Sequence, residues 1–319
     1  MKPRNLRLVG LCGLASIFIC SSAHATSDIW DGSTDGTWST STNWATDPAL
    51  VPGAGEIATF NGAGGGFTVI DLGAGVSIGS VIFDTASAAA YTLGSGAVGS
   101  QTLTLSNAGA ITVNSGVTAN QLFNSNIQLS NAASASTTFT NNSSGLLTIA
   151  GTVNANVASG NGVLTVAGSG NTTISGAITK TGAGSNALLK TGAGTLTLSN
   201  GSTWSGTGAI GRIPATSAGF PLVAREGTLL LNGGTHAVNG EAVIGGVVAD
   251  GGAGQNAKIQ VDGGSPTVSS WLSIGRGNGI GGVSSDLVLN NAATVSAGNI
   301  SAGFDGGSAS NKPKGTVTL

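Results

Sequence analysis

The chain has almost no cysteine, little charge and few aromatic residues, and each shortage removes a class of explanation. Both cysteines, Cys12 and Cys20, lie in an N-terminal segment expected to be cleaved off. The mature protein is therefore expected to hold no disulfide, no thiolate and no cysteine-ligated metal. Charged residues are only 8% of the chain while hydrophobic ones are 40%, which excludes disorder driven by charge repulsion despite 55 glycines. Glu, Lys, Arg, Met and Gln are scarce and apolar residues do not recur at three and four, so helix is not expected. Removing Lys2, Arg4 and Arg7 from the 11 basic residues leaves 8 against 13 acidic ones, a net charge near −5. That balance argues against a nucleic-acid partner. Past the leader no apolar run approaches the roughly 20 residues of a membrane-spanning helix, so no transmembrane segment is expected in the mature chain.

The leader itself is legible. Lys2, Arg4 and Arg7 precede the apolar run from Leu8 to Ile19, followed by Ala23-His24-Ala25. That order marks residues 1–25 as a secretory signal peptide cleaved after Ala25. Ile19 stands where a lipoprotein anchor at Cys20 needs a small residue. The expected location is the cell surface, the outer membrane or the extracellular medium.

Beyond the leader the chain alternates. Gln101-Thr-Leu-Thr-Leu-Ser, Gly162-Val-Leu-Thr-Val-Ala and Gly194-Thr-Leu-Thr-Leu-Ser show the two-residue period of half-buried strands. A longer repeat underlies it. Leu231-Asn-Gly-Gly-Thr-His-Ala-Val238 aligns with Val261-Asp-Gly-Gly-Ser-Pro-Thr-Val268 and with Leu289-Asn-Asn-Ala-Ala-Thr-Val295. Each copy runs on into Ala242-Val-Ile-Gly245, Leu272-Ser-Ile-Gly275 or Ile300-Ser-Ala-Gly303. The unit is 28 to 30 residues with three strand-like pieces, which is what one coil of a parallel β-helix requires. The expected inward ladders are Leu231/Val261/Leu289 and Val238/Val268/Val295. Asn232, Asp262 and Asn290 follow the first strand, where a short polar side chain bonds the turn's own backbone. Gly315-Thr-Val-Thr-Leu319 matches the opening strand of a further copy, and the expectation is a repeat region truncated in mid-coil.

Leu189-Lys-Thr-Gly-Ala-Gly-Thr-Leu-Thr-Leu-Ser199, continued by Asn200-Gly-Ser-Thr-Trp-Ser-Gly206 and Glu226-Gly-Thr-Leu-Leu-Leu-Asn232, resembles the autotransporter-associated β-strand repeat of exported bacterial proteins. A degenerate copy begins at Lys180-Thr-Gly-Ala-Gly184. The departure is an insertion from Gly208 to Val223, expected to protrude as a loop. Trp30-Asp-Gly, Trp38-Ser, Asn43-Trp44 and Pro52 to Phe60 resemble the leader that often precedes such repeats. The resemblance implies export and a β-helical passenger, and it implies no catalytic residue.

The expected fold is all-β, a right-handed parallel β-helix of roughly ten coils. Residues 1–25 are the signal peptide, 26–61 a Trp-rich leader or cap, and 62–319 the repeats. Trp30, Trp38 and Trp44 are the candidate surface contacts, as a platform for a sugar ring. The competing reading is a cap that seals the open end of the core, and it is favoured because that end must be covered. A polysaccharide-active hydrolase or lyase is the rival class. Inversion needs two carboxylates about 6.5–9.5 Å apart, but the acids are scattered singly, and His236 has only Glu241 nearby in sequence. Asp250, Asp262 and Glu241 are the acids that could share one face, but their Gly and Asn neighbours read as turns. Two G-x-G-x-x-G runs, Gly94–Gly99 and Gly206–Gly211, open no helix and read as loops. Gly251-Gly-Ala-Gly-Gln-Asn256 has Asn256 where a calcium-binding repeat needs aspartate. No catalytic, cofactor or metal site is expected. The expected role is a surface scaffold or adhesin, with extracellular glycans or proteins as partners.

Overall fold

The computed structural model describes residues 27–46, 50–130, 136–155, 157–180, 182–205, 220–245, 256–275, 284–303 and 314–319. The signal peptide, the Gly206–Gly211 run, the insertion as far as Gly219, Asp250 and the calcium-like run as far as Gln255 lie outside the described residues. The other G-x-G-x-x-G run, Gly94–Gly99, forms the turn between Thr92–Leu93 and Thr102–Val113.

The alternating segments form two parallel sheets of stacked coils, one of sixteen strands and one of ten. The ten-stranded sheet takes one strand from each coil, from Val69–Ile70 to Lys314–Thr318. The larger sheet climbs one side of the solenoid and returns along another. Four strands belong to both sides: Val76–Phe83, Thr102–Val113, Ser265–Ile274 and Ser296–Ala302. Each coil therefore carries three strand segments, as its sequence repeat indicates. The Trp-rich segment is continuous with this stack, because Asp28–Ile29 pairs with Ile57–Phe60, which pairs with Val76–Phe83.

Parallel in-register pairing places equivalent positions about 4.8 Å apart, so every inward residue lies on its counterpart. One inward column runs Ile70, Leu93, Phe123, Ile149, Ile174, Leu198, Leu231, Val261, Leu289. All but the last are buried. Each such side chain contributes about 1.5–3 kcal/mol when fully buried, and this repeated term holds together the described residues, which contain no cysteine.

The expected ladder Leu231/Val261/Leu289 is thus present, and so is Val238/Val268. The third rung is corrected: Val268 pairs with Ala297, not Val295. The turn after Leu289 places Asn291 and Ala292 at φ 55° and 58°. Its two left-handed residues lengthen the connection, and Val295 packs beside the core instead of stacking in the column. The polar position is also corrected. Asn290 donates to the Asp262 carboxylate of the preceding coil (2.7 Å), while Asp262 also accepts from Gln260 (2.9 Å). The described end of the insertion does not protrude: Leu222–Ala224 is a strand, and Phe220 packs on Val223 and Val243 outside the main core.

The corners require glycine for space. A Cβ on Gly176 would stand 1.9 Å from the carbonyl oxygen of Gly151, one coil away. Gly263 has nothing within 4 Å of that position. Gly176→Ala is expected to lower stability by roughly 1–3 kcal/mol through forced separation of two coils. Gly263→Ala is expected to change it by less than about 0.5 kcal/mol. Denaturant midpoints of the two variants check the contrast, and equal midpoints would contradict the corner packing.

Candidate functional site

The solenoid brings Trp30, Trp38 and Trp44 into one cluster in which their exposures are 1%, 2% and 2%. Trp44 meets Trp30 and Trp38 edge-on, with ring centroids 5.2 and 4.9 Å apart, and all three lie over Phe60. Their indole N–H groups donate to the carbonyls of Phe67 (3.2 Å), Pro52 (3.2 Å) and Trp38 (2.9 Å). Buried Asn43 ties the loop beneath them, accepting from the N–H of Thr34 and Asp35 and donating to the Asp35 carboxylate. The Thr37 N–H, helped by Asn43, holds the Asp35 carboxyl below its usual range. Rings enclosed in this way present no face to a sugar. They cover Phe60, which begins the inward column Phe60, Phe83, Val113, and this is the geometry of a cap.

Among the described residues, two basic side chains occupy inward columns. Lys190 stands between Val166 and Ala224 and is only 2% exposed. Its ammonium donates to the carbonyls of Thr191 (2.8 Å), Gly192 (2.6 Å) and Glu226 (3.1 Å). The Glu226 carboxylate accepts from the Gly192 N–H (2.9 Å). The Lys-x-Gly of the repeat motif is thus a clamp that ties one coil to the Glu-Gly-Thr-Leu strand of the next. Burial pulls the Lys190 ammonium down to about 8, with the Glu226 charge acting in the opposite sense.

His236 lies between Ser202 and Pro266. Its Nε2 is 2.8 Å from the Gly233 carbonyl, which can only accept, so Nε2 carries the proton. In the neutral ring Nδ1 then accepts from the Ser202 hydroxyl (2.8 Å), which in turn accepts from the Trp204 indole (3.0 Å). Burial lowers the His236 pKa, with the bond to Gly233 opposing. This serine–histidine pair is enclosed, at 3% and 1% exposure, and its hydrogen bonds are spent on structure. Glu241, its neighbour in sequence, accepts from Ser273 (2.6 Å) instead. Glu241 and Asp262 serve different sheets, Asp262 following Ala257–Val261 and Glu241 preceding Ala242–Ile244.

Stacking also assembles a site that the sequence scatters. Glu226, Thr228, Asn256, Lys258 and Asp286 line an open depression of about 480 Å³. Thr228, Lys258 and Asp286 are successive rungs of one outward column. Lys258 donates to Gln260 (3.0 Å), and Asn256 accepts from the Ser284 N–H (3.0 Å). The result is an open polar patch with two carboxylates and one ammonium, suited to holding a hydroxylated ligand. The signal for it was the repeat offset of 28–30 residues, applied to the charged positions as well as to the apolar ones. Among the described residues no three of His, Cys, Asp and Glu form a metal-holding group, and no helix is long and apolar enough to cross a membrane.

No protein-family model, curated protein or solved structure matches the chain.

The two buried bases set the expected pH profile. His236 has a folded pKa below its unfolded 6.5, so its contribution is complete above pH 6.5 and is lost as the pH falls further. For Lys190, folded about 8 against 10.5 unfolded, stability rises as the pH climbs from about 8 towards 10.5. Denaturant midpoints between pH 5 and about 9.5, below the unfolded pKa of Tyr91, should show both limbs. Lys190→Met should abolish the alkaline rise and His236→Gln the histidine part of the acid fall; an unchanged alkaline rise in Lys190→Met would contradict the assignment.

Proposed function

We propose that the protein is an exported structural or adhesin-like rod of the autotransporter-associated repeat type, held at the cell surface or outer membrane or released, without catalytic activity. The supporting observation is an outward column that runs through nine of the ten strands of the smaller sheet: Thr92, Leu122, Thr148, Thr173, Thr197, Leu230, Gln260, Val288, Thr318. Nine positions one rung apart span about 38 Å at 4.8 Å per rung. A surface of this regularity suits repeated shallow contacts with an extended partner, an extracellular glycan or protein. The signal-peptide pattern at residues 1–25 and the Lys190-Thr-Gly-Ala-Gly-Thr-Leu motif support export and family type.

A second reading, a polysaccharide-active enzyme or carbohydrate-binding module, draws on the depression that gathers Glu226, Lys258 and Asp286. One experiment separates the two. The chain with its leader is produced in a bacterial host, the exported product is sequenced from its N-terminus, and it is then incubated with pectins, alginates and sulfated glycans. The rod reading expects a mature N-terminus at Thr26, adhesion of protein-coated beads to cells, and unchanged polymers. New reducing ends or unsaturated products that disappear in Asp286→Asn would replace it with the enzymatic reading, and retention of the uncleaved chain in the cytoplasm would remove the export step.

A further inference from the structure

Six asparagines stand directly before a glycine: Asn61, Asn161, Asn200, Asn232, Asn239 and Asn278. Such a pair is reactive, because the glycine nitrogen can attack the carboxamide carbon of the asparagine and no Cβ on the glycine hinders the approach. Asn278 lies outside the described residues. The fold treats the other pairs differently. Gly162 is buried within the pairing of Asn161–Ala167 with Ser185–Lys190. The Gly240 N–H donates to the Val238 carbonyl (3.1 Å), which engages that nitrogen away from Asn239. At Asn200 the Gly201 N–H donates to the Oδ1 of the asparagine that precedes it (2.7 Å). Among the described residues, Asn61, Asn232 and Asn239 make no such bond to their glycines.

Asn200 and Gly201 form the corner between Thr195–Leu198 and Ser202–Ser205. The Asn200 side chain is exposed, so water reaches its carboxamide and the group is free to rotate. The peptide beside it is fixed from both neighbouring coils. The Gly201 carbonyl accepts from the Ile178 N–H (3.0 Å), and Gly234 packs so closely that a Cβ on it would stand 2.4 Å from the Gly201 nitrogen. A held nitrogen beside a rotatable carboxamide is the proximity that makes an intramolecular attack fast.

We infer that Asn200 is a self-modification site, at which the folded chain converts its own asparagine to aspartate and isoaspartate. The Gly201 nitrogen gives up its proton and bonds to Cγ of Asn200, the Cγ–Nδ2 bond breaks, and ammonia leaves from a cyclic imide. Water then opens the ring. Addition at Cγ gives aspartate, and addition at the main-chain carbonyl gives isoaspartate, in which the backbone runs through Cβ. The co-reactant is water alone, and the rate rises with pH because the attacking nitrogen must lose its proton. Isoaspartate adds an atom to the main chain at a corner clasped on both sides. The next residue, Ser202, pairs with Ile178 and His236 on the adjacent coils, and its buried hydroxyl bonds His236 and Trp204. Lengthening the corner works against that register, so the conversion is a one-way ageing mark that loosens the stack at this level. The assignment stands independently of the adhesin reading.

The test is peptide mapping by mass spectrometry of the full chain, as wild type and Asn200→Gln, after incubation at mildly alkaline pH either folded or unfolded in urea. Digestion at acidic pH prevents conversion during handling. In the folded wild type the Asn200 peptide should gain the mass of an amide-to-acid exchange at least about tenfold faster than the peptides of Asn61, Asn232 and Asn239, with both aspartate and isoaspartate as products. In urea the four should convert at similar rates, since only the shared Asn-Gly chemistry remains. Asn200→Gln should remove the conversion, because the longer side chain closes its ring poorly, and should keep its thermal midpoint on ageing while that of the wild type falls. Conversion of Asn200 no faster than the other three in the folded chain, or a lead that persists unchanged in urea, would overturn the site. An equal fall of the midpoint in aged wild type and aged Asn200→Gln would overturn the loosening of the corner.

Discussion

Everything in this structure depends on one requirement, that each coil lay its backbone N–H and C=O groups in register against those of the coils beside it. The hydrogen bonds run between coils, so a residue's neighbours in space are its counterparts one repeat earlier and one repeat later. Inward apolar positions then form columns automatically, and the corners must approach closely enough that Gly176 over Gly151 has no room for a side chain. A chain without a disulfide in its described part obtains its cohesion by repeating the same contact, with the aromatic cluster on Phe60 covering one end of the column.

The same requirement governs the polar groups inside. A side chain placed in an inward column cannot turn to solvent, so it must be satisfied by its own or the adjacent coil. Lys190 meets this with three carbonyls, His236 with Ser202 and Gly233, and Asn141 by donating to Gly145 while accepting from Ser143. Each is a cross-coil or corner fastening. The serine–histidine contact resembles reactive chemistry only when burial is ignored.

The period-two alternation and the 28–30-residue offset made the fold class, the three strands per coil and the ladder Leu231/Val261/Leu289 legible, because apolar spacing is written directly into sequence. The rung at Ala297 was hidden because it depends on two residues after Leu289 adopting positive φ, and Asn and Ala announce that weakly. Lys190 read as a motif letter near a turn, and its burial follows only from its register with Val166 and Ala224. Trp30, Trp38 and Trp44 were legible as aromatic mass, and their role as cover required the packing geometry. The patch of Glu226, Lys258 and Asp286 was invisible to a search for neighbouring acids, since stacking brings together residues some thirty positions apart.

The tolerant corner after Leu289 has an evolutionary consequence. Extra residues there are absorbed as a left-handed turn, and the strand that follows regains its pairing at Ala297. A single residue inserted within a strand would instead turn every later side chain of that strand to the opposite face. Duplication or deletion of an entire coil disturbs neither, because the new rung finds the same columns waiting above and below it. The gene can therefore lengthen or shorten its rod in steps of about 4.8 Å by unequal recombination between repeats, keeping its outward columns in phase while individual rungs drift.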